Sequence, residues 1–171
     1  MFSLGSALPR PLGSPEGQVS GGTLSGGEVF STLNLTYGRR TAKSPMLSLT
    51  VFEFPTEAKA TSTVLSTEGY SNPNAMVLFD GIGTVARRLS PQISASNRSV
   101  APNHWQESLK FARGRFYVRM TYAHAPDPDP SAKTPWMDGD ADAYFWKSAR
   151  AIDARLKAYL AGPYRNKTLR D

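Results

Sequence analysis

Between Arg87 and Arg119 the sequence carries seven basic residues, Arg87, Arg88, Arg98, Lys110, Arg113, Arg115 and Arg119, against one acid, Glu107. Tyr117 stands among them. Guanidinium and ammonium groups hold phosphates, and the planes of Tyr and Arg stack on unpaired bases. This is chemistry for gripping a polyanion rather than for breaking a bond. The rest of the chain is nearly balanced, with five basic and six acidic residues up to Asp80 and eight basic and seven acidic after Arg119. The net charge of +6 therefore resides in one segment. A localised excess attracts polyanions through its summed field. A solvated sheet face without a partner would use the same residue types.

Other chemistry finds little support. The absence of cysteine excludes a thiolate nucleophile, a disulfide framework and a Cys-based zinc site. His104 and His124 are too few for a histidine metal cage, so no metal or cofactor is expected. Asp138 to Asp142 ("DGDAD") opens like a calcium loop, but alanine stands at 143 and 149, where an EF-hand needs Gly and Glu. His104, His124, Glu107, Asp127 and Asp129 could be drawn together as the acid/base site of a small hydrolase or nuclease. That alternative needs the Pro-rich stretch after His124 to fold back. No run of about 18 apolar residues is present, so no membrane span is expected. The N-terminus lacks a basic start followed by an apolar region, so no secretory signal is expected.

The basic set must be carried by strands. In "WQESLKFARGRFYVRMTYAH" apolar and polar residues alternate on either side of a turn. With Arg113-Gly114 at the loop positions, Phe111 faces Phe116, Leu109 faces Val118 and Trp105 faces Tyr122. The other side then pairs Lys110 with Tyr117 and Ser108 with Arg119, and Glu107 opposite Met120 is the one mismatch. Phe116, Val118, Met120 and Trp105 are core candidates. Lys110, Tyr117 and Arg119, with Arg113 and Arg115 at the turn and Arg87 and Arg88 nearby, are the RNA-binding candidates.

Residues 1–27 are rich in Gly, Ser and Pro and read as a flexible or wrapping arm. Residues 28–162 read as one α+β domain, and 163–171 as a basic tail. "EVFSTLNLTY" and "MLSLTVFEF" alternate and form an N-terminal hairpin. "AKATSTVLST" is β-branched and reads as a strand. "AMVLF" is a short apolar run closed by the turn "DGIG". "TVARRLSPQISAS" reads as one or two edge strands, because Pro91 cannot donate to a ladder. "ADAYFWKSARAIDARLKAYLAG" reads as a helix with Phe145, Ala149, Ile152, Leu156 and Tyr159 or Leu160 on one stripe, acidic residues at its start and Gly162-Pro163 at its end.

Strands followed by one long helix imply α+β with an antiparallel sheet of about six to eight strands. Such a sheet is about 30–35 Å wide, while one helix is about 10 Å across. A homodimer, with helices packing over a shared sheet, solves the coverage problem. Phe145, Trp146, Ile152, Leu156 and Tyr159 are then core or dimer residues.

In this order of parts the chain resembles the single-stranded RNA bacteriophage coat proteins. The likeness runs from the hairpin "EVFSTLNLTYGRRTAKSPMLSLTVFEF" through "RFYVRMTY" to the helix "DADAYFWKSARAIDARLKAYLAG". It implies an interlocked homodimer, self-assembly into an icosahedral virion, and RNA held on the inward sheet face. It implies no enzyme activity, no membrane and no small-molecule substrate, with location in the virion and, during assembly, the host cytoplasm. An RNA-binding subunit of a ribonucleoprotein is the alternative that shares the basic face without self-assembly.

Overall fold

Apolar residues at every second position write the strands, and apolar residues at 3.6-residue spacing write the helices. The computed structural model describes residues 16–23, 29–37, 46–67, 73–91, 106–123 and 140–163. Its elements are β1 Glu16–Thr23, β2 Val29–Tyr37, β3 Met46–Glu53, α1 Glu57–Leu65, β4 Met76–Leu78, β5 Val85–Leu89, β6 Gln106–Arg113, β7 Phe116–Ala123 and α2 Asp140–Ala161. The chain is α+β. Its strands lie in the order β1-β2-β3-β7-β6-β5-β4, and every pairing is antiparallel. The described side chains belong to the five strands β3 to β7 and to the two helices.

The expected N-terminal hairpin is β2 and β3, with Tyr37 opposite Leu47. Glu16–Thr23 pairs along β2, so the sheet takes in part of the segment expected as an arm. The central hairpin is β6 and β7, but its loop is Gly114-Arg115 rather than Arg113-Gly114, and Arg113 pairs with Phe116. Only Gly114 takes positive φ there, at +55°, which matches the Gly-first order of a II′ turn. A Cβ on Gly114 would meet Leu160 Cδ1 at 2.7 Å, so glycine also lets the turn abut the end of α2. Moving the loop by one residue moves each partner by two. The faces survive, and Glu107 stands opposite Tyr122 instead of Met120.

Two expectations are corrected. The stretch expected as a strand around "AKATSTVLST" is the helix α1. Thr56 caps it by accepting the Lys59 N–H, Glu57 sits in the first turn, and Ala60 and Val64 share one buried side. Capping and an apolar face outweigh the strand preference of its threonines. β5 is not an edge strand, since it lies between β4 and β6. It ends at Leu89, so the missing donor of Pro91 falls outside its ladder.

The main core lies between one sheet face and α2. Leu47, Leu49, Val51, Leu109, Phe111, Phe116, Val118, Met120 and Tyr122 meet Phe145, Trp146, Ile152, Leu156 and Tyr159 there. Each large side chain buried this way contributes about 1.5–3 kcal/mol. The expected core residues Phe116, Val118, Met120, Phe145, Trp146, Ile152, Leu156 and Tyr159 are all in it, and Trp105 lies outside the described residues. A second, smaller cluster lies on the opposite face, where Ala60 and Val64 of α1 pack on Phe54, Ala112, Phe52, Val85 and Tyr117.

Candidate nucleic-acid interface

The face under α1 is built in three parallel rows, each set by the strand register. The first row, Phe52, Tyr117, Ala112 and Val85, runs from β3 across β7 and β6 to β5. It is apolar, and α1 covers it. Ala112 is small enough for the helix to approach, and the Tyr117 ring lies 5.5 Å from that of Phe52 and 6.5 Å from that of Phe54. The second row is Thr50, Arg119, Lys110 and Arg87. The third holds Ser48, Thr121 and Ser108.

The second row sets three cations side by side on adjacent strands. With strands about 4.8 Å apart, Arg87 and Arg119 flank Lys110 across a span of about 10 Å. Like charges directly opposite one another destabilise a sheet. Lys110 is 3% exposed, and its Nζ donates to the Ser66 carbonyl at the end of α1, 2.8 Å away. Burial, then Arg87 and Arg119, hold its ammonium below the usual lysine range. Arg87 Nε is buried and makes no hydrogen bond among the described residues. Arg119 is exposed. The row thus gathers positive charge at the edge of α1, beside the half-buried hydroxyl side chains of Thr50, Ser48, Thr121 and Ser108.

The other expected RNA contacts are placed elsewhere. Arg113 points to the α2 face and holds Asp153 through two bonds of 2.7 Å. That forked bond, the larger influence, keeps its guanidinium pKa above the ordinary value. Arg115 bonds Glu53 at 2.8 Å and lies 5.2 Å from the Phe116 ring centre. Arg88 meets Glu107 at 3.5 Å and stacks on Trp146 at 4.8 Å and Phe79 at 5.6 Å. Arg113 and Arg88 tie the sheet to α2, and Arg115 ties the hairpin turn to β3. Tyr117 stays on the α1 face, but within the aromatic cluster under the helix. Of the seven candidates, Arg87, Lys110 and Arg119 are brought together.

Glu107, drawn into the hydrolase alternative, is 1% exposed, accepts the Ser108 N–H and pairs with Arg88. His104, His124, Asp127 and Asp129 lie outside the described residues. Among the described residues no group of acidic or histidine side chains could hold a metal ion, and no helix is long and apolar enough to cross a membrane. The alignment of Lys110 with Arg119 was hidden by the two-residue shift in the hairpin, and that of Arg87 with Lys110 comes from the separate pairing of β5 with β6. The signal that would have revealed the first is Gly114 itself, placed first in the loop.

No protein-family model, curated protein or solved structure matches this chain.

Proposed function

We propose that this chain is a structural coat protein that self-assembles from homodimers and packages RNA against the sheet face opposite α2. The observation that carries the reading is the row Arg119, Lys110 and Arg87, one-signed and aligned across three strands at the edge of α1, with Lys110 buried against the helix end and Arg119 exposed. A strand face with cations in register suits a phosphate backbone, whose charges recur along a line. The sequential order of strands and terminal helix, in which the chain resembles single-stranded RNA phage coat proteins, supports the same reading. A second copy has a place in it, because α2 lies mainly over β6 and β7 and the sheet extends past them through β3 to β2 and β1. A helix from a partner would cover that side.

Expression of the chain by itself tests the reading. Large nuclease-resistant particles that contain host RNA, seen by electron microscopy and by absorbance at two wavelengths, are the expected result. Monodisperse monomers free of nucleic acid would end it. RNA bound without assembly would transfer the chain to the ribonucleoprotein alternative.

A further inference from the structure

The second charged surface lies on the other side of the molecule. α2 turns Phe145, Ala149, Ile152, Leu156 and Tyr159 to the sheet. Its opposite side exposes Lys147, Arg150, Arg155 and Lys157, separated by the exposed alanines 143, 154, 158 and 161. At 100° per residue Lys147, Arg150 and Lys157 fall within an arc of about 80°, and the rise of about 1.5 Å per residue spreads them over about 15 Å. A solvated helix face ordinarily mixes both signs, with opposite charges at i,i+4 supporting the helix. Here the one acid whose side chain is described on α2, Asp153, is 9% exposed and turned inward to Arg113. The helix dipole does not account for the cations either, since none stands in the last turn. Lys147 and Arg150, three residues apart, repel one another at a small cost to the helix. The short alanines between them leave the backbone open to close approach by a long, thin, charged partner.

We infer that the outward face of α2 is a second RNA-binding surface, taking the phosphate backbone of a single strand without regard to sequence through Lys147, Arg150 and Lys157. It is independent of the Arg87–Lys110–Arg119 row, and the sheet lies between the two. One copy can then hold two strands, or two parts of one strand, on opposite sides.

The test measures affinity of the full chain for a uridine homopolymer across a salt series. Each phosphate contact contributes about 0.7 to the slope of log K against log salt. Neutralising the three cations together, K147Q/R150Q/K157Q, is expected to lower that slope by about two units. The charge-conserving K147R/R150K/K157R should keep it, and R87Q/R119Q should lower it separately. An unchanged slope in the first variant, with R87Q/R119Q still lowering it, overturns this inference and leaves the sheet-face reading standing. Wild-type protein that binds no RNA overturns both. These side chains are exposed, so the thermal midpoint of each α2 variant is expected to match the wild type and a loss of slope reports contact rather than unfolding.

Discussion

On the α2 side of the sheet Arg88, Arg113 and Arg115 each have an acid, and two of them also lie over aromatic rings. On the α1 side Arg87, Lys110 and Arg119 have one another across the strands. The residue types are nearly the same and the strands are the same. The difference is what the chain supplies opposite each cation. Glu53, Glu107 and Asp153 are all directed to the α2 side, where half-buried charge has to be compensated to be tolerated. The α1 side is left with positive charge in register, a destabilising arrangement that an anion relieves. Paired arginines hold the fold together, and of the aligned cations Arg119 is exposed while Lys110 is buried against the end of α1.

Four changes would break or sharpen this contrast. The largest effect is expected on the α2 side. Phe116 is fully buried and meets the Tyr159 ring edge-on at 5.7 Å. Phe116→Ala should lower stability by about 3–5 kcal/mol in a urea titration. A loss under about 1 kcal/mol would mean that α2 does not rest on β7 as described. Asp153→Ala should follow at about 2 kcal/mol, because it leaves Arg113 half-buried without its forked partner. A neutral outcome would place Arg113 with the solvated cations.

The next two changes act in opposite directions with pH. Burial raises the Tyr122 phenol above its ordinary 10.0, with Tyr144 as the smaller cause. Its neutral form is favoured in the fold, so stability is intact below pH 10 and is lost as pH rises beyond it. Tyr122→Phe should flatten that alkaline loss. If the loss is unchanged, Tyr122 is not the group responsible. Lys110 has its pKa lowered from 10.5. Between its folded pKa and 10.5 the unfolded chain binds more protons, so stability rises with pH across that window. Lys110→Met should remove this rise and change neutral stability by no more than about 1 kcal/mol, since relief of repulsion offsets the lost bond to Ser66. A rise that persists in the variant would mean that a group other than Lys110 is responsible.

Much of the α2 side was legible in the residues. Leu109, Phe111, Phe116, Val118, Met120 and Tyr122 alternate strictly, and that assigns a face whatever the loop length. The stripe from Phe145 to Tyr159 assigns the helix face by the same logic. The α1 side was less legible for two reasons. Threonine and serine in "AKATSTVLST" satisfy strand and helix patterns alike, and the cap at Thr56 and the packing on Ala112 decided for the helix. The partner of Lys110 turned on a single loop position, and a two-residue change replaced Tyr117 with Arg119.

The sequence by itself determined which residues share a face, that the strands pair antiparallel before a terminal helix, and that positive charge is concentrated between 87 and 119, because alternation, helical period and composition are local properties of the chain. The tertiary structure decided which cations are compensated. Glu53, Glu107 and Asp153 are 62, 19 and 40 residues away from the arginines they hold. No local pattern links such partners. Only closure of the sheet and docking of α2 bring them within bonding distance, and on the other face the same closure sets Arg87, Lys110 and Arg119 side by side across three strands.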